Sequence, residues 1–274
     1  MFATLLGPLP RPPLPGDAPA EALLDAALEA QASHGLGPLT DGGWPLRGDD
    51  PVASWRASAG RTDALVKAVV TGPYSSGRPV SDVRATLQAL ADAGCAWIEV
   101  HEPAATTIGE DREARARFAE AHGALTADLD GVHLSLAIVG GSADGAGSET
   151  ILSGRYASLA VDLIDGPDNW RLVATTPQER GIICGAVAGR EGSDDAPELL
   201  LWAASYAASI GGRGWDRVGL ATAGSLAALS WDRAMAKLAA LSAGAQLAVA
   251  SPEERLATLD PRAVGHRRRN TRPR

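Results

Sequence analysis

The stretch Gly94-Cys95-Ala96-Trp97-Ile98-Glu99-Val100-His101-Glu102-Pro103-Ala104 holds one complete structural signal. Glycine stops the segment before it, a short β-branched and aromatic run follows, and polar residues ending in proline close it. Upstream, Val83, Leu87 and Leu90 recur on one face of a helix expected over Val80–Ala93. Ser81-Asp82 supply polar groups for its first turn. Helix, glycine, strand and polar strand end therefore follow in order.

The same unit recurs along the chain. Strands are expected at Ala3–Leu6, Leu39–Thr40, Leu65–Thr71, Trp97–His101, Val132–Val139, Leu159–Ile164, Gly181–Val187 and Val218–Ala221. Helices are expected at Ala18–Ser33, Val80–Ala93, Asp111–Ala121, Pro197–Ile210 and Trp231–Ala243. Such alternation implies parallel strands joined by crossover helices. A closed barrel and an open doubly wound sheet fit this periodicity equally. Gly140-Gly141 with Gly145 and Gly147 lack the strand-to-helix setting of a dinucleotide fingerprint and read as a βα loop.

Composition bounds the rest. The 274 residues are 45% hydrophobic and carry a net charge of −8, which argues against a nucleic-acid-binding surface. The exception is the basic end, residues 262–274 with Arg267-Arg268-Arg269, which reads as a solvated, disordered tail beyond a single domain over 1–261. No interior linker divides the chain, and no run reaches transmembrane length. The proline-rich start does not read as a signal peptide, and Cys95 and Cys184 read as buried thiols, so a cytoplasmic location is expected. Partners are expected to be small molecules rather than membranes or nucleic acid; the oligomeric state is left open.

In a parallel barrel, residues at C-terminal strand ends reach the ligand. These ends supply Asp41, Thr71, Gly72, Tyr74, His101, Glu102, Asp162, Asp165, Arg190, Thr222 and Ser225, with His133 and Ser135 on the fifth expected strand. Each alone could be a helix cap or a solvent-facing residue. Together they suggest a pocket rim.

Several of these positions carry a family resemblance. Val66-Lys67-Ala68-Val69-Val70-Thr71-Gly72-Pro73-Tyr74 resembles the Gly-Pro strand of the cobalamin-independent methionine synthases, and Glu102-Pro103-Ala104 resembles their Asp-Glu-Pro-Ala strand end. Leu6-Gly7-Pro8-Leu9-Pro10-Arg11-Pro12, Gln31, Gly35-Leu36, Thr40-Asp41-Gly42 and the Leu226–Leu241 stretch are similar to further family segments. The resemblance covers about Leu5 to Leu241 and implies the catalytic barrel, a single-domain α/β (β/α)8 TIM barrel. It also implies methyl transfer from methyltetrahydrofolate to the thiol of homocysteine, with zinc held by His, Cys, Glu and Cys. Zinc would hold that thiol as the nucleophilic thiolate.

Carried over residue by residue, the zinc set falls on His133, Ser135, Asp162 and the region of Gly224-Ser225-Leu226. No cysteine follows Cys184. At most His133 and Asp162 remain as metal ligands, so homocysteine methylation on zinc is not expected. His101 stands for the family's Asp and Gly43 for a Glu, while Glu102 and Asp41 are kept. The expected catalytic residues are His101, Glu102 and His133; the expected substrate-binding residues are Asp41, Thr71, Tyr74, Glu102 and Ser135. Three other readings stay open. One is a His101, His133 and Asp162 metal site. Another is metal-free acid–base chemistry by His101 or Glu102. The third is a non-catalytic barrel that binds a small molecule or a partner.

Overall fold

The computed structural model describes residues 1–48, 50–193 and 195–259. The basic stretch expected to be a tail, and the boundary before it, lie outside the described residues. Seven strands, β1 (Phe2–Thr4), β2 (Ala68–Thr71), β3 (Trp97–His101), β4 (His133–Ile138), β5 (Ser158–Asp162), β6 (Gly181–Val187) and β7 (Val218–Thr222), form one curled parallel sheet. The spatial order is β1-β7-β6-β5-β4-β3-β2. The longer helices are α1 (Ala20–Ser33), α2 (Pro51–Ala59), α4 (Val80–Asp92), α5 (Arg112–Leu125), α8 (Pro197–Ser209) and α9 (Trp231–Val249). Short ones are α3 (Pro73–Ser76), α6 (Ser148–Ile151), α7 (Trp170–Thr175) and α10 (Pro252–Leu259).

Strand alternation sorts side chains to two faces. On β3, Ile98 and Val100 join Leu87 and Leu90 of α4 and Phe118 of α5 in the main apolar core. Trp97 instead packs with Leu6, Ala137, Ala160, Ile183 and Ala221 in a second cluster inside the curl. Each fully buried leucine contributes about 1.5–3 kcal/mol through removal of apolar surface from water. At the lower end of the curl, the Phe2 ring meets Trp97 edge-on at 5.4 Å. Gly219 makes room for that ring, because a Cβ there would lie 2.4 Å from Phe2 Cζ.

Helix starts follow the sequence in two places. Asp111 accepts from the N–H groups of Glu113 and Ala114 at the head of α5, and Ser230 accepts from Arg233 N at the head of α9. Helix α2, whose cap Asp50 accepts from Val52 N and Ala53 N, fills the connection before β2.

The expected second strand, Leu39–Thr40, is a correction. Segment 37–40 lies between β1 and β2 without being a regular strand. Gly37 N donates to Ala3 O, Leu39 N to Leu65 O, and Lys67 N to Leu39 O. Two causes are visible. Pro38 has no N–H for a ladder. The Gln31 side-chain amide then takes both backbone groups of Thr40, donating to Thr40 O at 2.8 Å and accepting from Thr40 N at 2.9 Å. The chain turns away at Asp41-Gly42-Gly43. The upper half of β2 therefore pairs with β3 on one side only, and Val69, in mid-strand, is 43% exposed. Seven strands are thus seen where the eight of a closed barrel were expected.

Candidate functional site

The open edge of β2 borders a cavity of about 720 Å³. Asp41, Thr71, Val69, Ser54, Trp55 and Arg78 contribute to its wall. Hydrogen bonding on β2 alternates sides: Lys67 N reaches segment 37–40, whereas Gly72 N reaches His101 O on β3. The backbone N–H groups of Val69 and Thr71 therefore turn toward the cavity. Burial holds the Asp41 carboxyl above its usual range, partly offset by the hydrogen bond from Gly43 N.

Deeper inside the curl lie charges that the sequence reading passed over. Lys67 Nζ donates to Glu99 Oε2 at 2.7 Å and to Leu5 O at 2.9 Å. Glu99 Oε1 takes His101 Nε2 at 2.7 Å. The Lys67 and Glu99 side chains are fully buried. Burial lowers the proton affinity of Lys67 against the pull of Glu99. Burial alone would raise the Glu99 carboxyl, but the charge of Lys67 and the hydrogen bond from His101 bring it below the usual range. The signal was present in the sequence: a lysine and a glutamate inside apolar strands must be paired.

The expected site residues separate into four places. Asp41 and Thr71 lie at the cavity. His101 pairs in register with Thr71 and shares its face of the sheet. Glu102, one residue on, points to the opposite side beneath α5. It accepts from Tyr74 N and Ser75 N, and His122 Nε2 lies 3.1 Å from its Oε1. His122 Nδ1 in turn lies 2.6 Å from the Tyr156 hydroxyl, whose proton affinity is pushed well up by burial and by the Glu102 charge. The Tyr74 ring packs edge-on against Phe118 at 5.4 Å, on that same outer side. Gly72 makes this arrangement fit, since a Cβ there would lie 2.1 Å from Glu102 Oε1.

His133 and Ser135 lie toward the other end of the curl. His133 starts β4, packs at a tilt against Trp97 with ring centroids 3.8 Å apart, and bonds Ser158 Oγ at 2.9 Å. Burial depresses its proton affinity, with Glu99 opposing and Lys67 reinforcing that effect. Ser135 Oγ accepts from Trp97 Nε1 at 3.1 Å. Asp162 ends β5 and organises the loops there: its carboxylate accepts from the N–H groups of Gly140, Gly141, Ile164 and Asp165.

The comparisons with known proteins bear on this geometry. Residues 80–194 match the family model described as the cobalamin-independent synthase, N-terminal domain. Over that stretch the chain is similar to the cobalamin-independent methionine synthases. The B12-independent methionine synthase from Shewanella sp. W3-18-1, solved in complex with selenomethionine, superposes with a TM-score of 0.74. It is 14% identical, over 89% of this chain and 96% of that one. A dihydrodipicolinate synthase from Oceanobacillus iheyensis shares the fold more loosely, with a TM-score of 0.53 and 16% identity over 94% of this chain and 77% of that one. No curated protein matches the sequence. The matched model describes the family's N-terminal domain, so the likeness to the catalytic barrel is carried by the sequence motifs.

The residues of this methionine-synthase-like chain do not fit the zinc ion that the family implies. In register, His101 stands beside Ala137, four positions above His133 on β4, which is about 13 Å at strand rise. Asp162 stands six positions above His133, or about 20 Å. His133, Asp162 and His101 thus do not converge, and all four N–H contacts of Asp162 are to backbone. Facing the interior near the C-terminal end of β4 are Ala137 and Val139, which have no metal-binding atoms. Among the described residues, no three His, Cys, Asp or Glu side chains are grouped to hold a metal. Both thiols are buried, and burial pushes Cys184 up to about 12.

Proposed function

We propose that this methionine-synthase-like chain binds a small molecule in the cavity beside β2 and does not methylate homocysteine on zinc. The observation that carries this reading is the meeting of Asp41 and Thr71 at the unpaired edge of β2, where backbone donors, a hydroxyl and a carboxyl face one cavity. Sites of this kind, a concave space with a few directed polar groups, are where small ligands bind. The family resemblance makes methyltetrahydrofolate the first ligand to try. The chemistry of the residues at the zinc positions speaks against a zinc-bound thiolate: a serine hydroxyl does not replace a thiolate charge, and Asp162 is committed to four backbone groups.

Titration calorimetry tests both halves. Methyltetrahydrofolate is expected to bind saturably to the wild type and at least tenfold more weakly to Thr71→Arg, whose side chain would fill the cavity. Homocysteine with zinc is expected to give no saturable heat. Folate binding unchanged in Thr71→Arg, no folate binding at all, or tight zinc-dependent homocysteine binding would each contradict the reading.

A further inference from the structure

We infer that Lys67, Glu99 and His101 form a hydrogen-bonded triad that ends at the mouth of the curled sheet and presents His101 Nδ1 as a base to a small molecule carrying an ionisable proton. This goes beyond the cavity reading and stands whichever ligand fills that space. The three side chains are joined in one line, Lys67 Nζ to Glu99 Oε2 at 2.7 Å and Glu99 Oε1 to His101 Nε2 at 2.7 Å. Only the last member is reached by solvent: the His101 side chain is 13% exposed, and those of Lys67 and Glu99 are at 0%.

The triad fixes which ring nitrogen carries the proton. Glu99 is an anion paired with Lys67, so the nitrogen facing it must be N–H, and His101 is held as the Nε2–H tautomer. Nδ1 is then the free acceptor, and it makes no hydrogen bond to a described residue. His101 lies in register with Thr71, on the strand next to the one that borders the cavity. Transfer moves the proton of an X–H group on the ligand to Nδ1 and leaves the electron pair on X. The imidazolium that forms is stabilised by the Glu99 charge. Lys67 keeps Glu99 from taking the proton itself, because its positive charge favours the carboxylate.

His133 lies lower on β4, Asp41 lines the cavity beside Thr71, and Glu102 points to the other side of the sheet. Lys67 and Glu99 are therefore positioning residues, and His101 is the group that would touch the ligand.

Nitrogen-15 NMR of the histidine side chains, which number five, tests this on the full chain without any ligand. The neutral form of wild-type His101 is expected as the Nε2–H tautomer; in Glu99→Gln the amide oxygen stays with Lys67 and the amide N–H turns to His101, so the Nδ1–H tautomer is expected instead. A wild-type Nδ1–H tautomer overturns the triad, as does a tautomer that Glu99→Gln leaves unchanged. Should Glu99→Gln not fold, the wild-type tautomer decides alone. A failure of folate binding leaves this result standing, so the two claims fail separately.

Discussion

Replacing Lys67 with Met is expected to lower the unfolding free energy by about 3–5 kcal/mol, the usual result of stranding one member of a buried ion pair. The substitution preserves length and apolar stem, so the loss isolates the charge. Among the described residues, Glu99 would be left inside the curl with His101 as its only side-chain partner. The pH dependence gives the effect a sign. In the wild type, Glu99 is held below its ordinary value of 4.5, so it adds stability above that pH and loses it as pH falls through the folded value. Without Lys67, burial dominates and raises the carboxyl, so its contribution turns into a cost that grows as pH rises above about 4.5. The deficit of Lys67→Met, measured by urea unfolding, is therefore expected to be largest near neutrality and to shrink toward pH 4. A deficit under 1 kcal/mol at pH 7 would mean that the pair does not hold the interior together.

Glu102→Ala is expected to cost a similar amount, about 3–5 kcal/mol, for a different reason. Its carboxylate is fully buried and holds the N–H groups of Tyr74 and Ser75 together with His122. Truncation leaves those donors without a partner and opens a void beneath α5. Asp41→Ala and Thr71→Val, at the cavity wall, are expected to change stability by less than about 1 kcal/mol. Thermal unfolding of the three variants separates the two kinds of residue. If Glu102→Ala unfolded like the wild type, Glu102 would belong with the ligand-binding residues after all.

The contrast explains how far the sequence could be read. Strands Trp97–His101 and Gly181–Val187 were legible to the residue, because β-branched runs bounded by glycine and proline have few other uses. The segment at Leu39 was misread because its apolar content looks like a strand, while its fate is set by Pro38 and by Gln31, whose amide meets Thr40 across nine positions. No local pattern announces that a glutamine side chain will take the place of a neighbouring strand.

The candidate site was legible only where side chains follow the strand rim. Asp41 and Thr71 were found in this way. His101 and Glu102 are neighbours in sequence and were grouped together, yet alternation along the extended chain sends them to opposite faces. His133 and Ser135 were assigned by a motif that places them near a rim, whereas β4 runs on to Ile138 and leaves them toward its start. Lys67 and Glu99 lie away from the strand ends that mark a barrel rim, although a charge in mid-strand is the rarer signal.

The most direct test of the account is methionine formation by the purified chain supplied with zinc, homocysteine and methyltetrahydrofolate. The expected result is no methionine above the protein-free background, and no difference when zinc is replaced by a chelator. Turnover that requires zinc, with about one zinc ion bound per chain, would contradict it and would mean that a metal site forms from residues this structure holds apart.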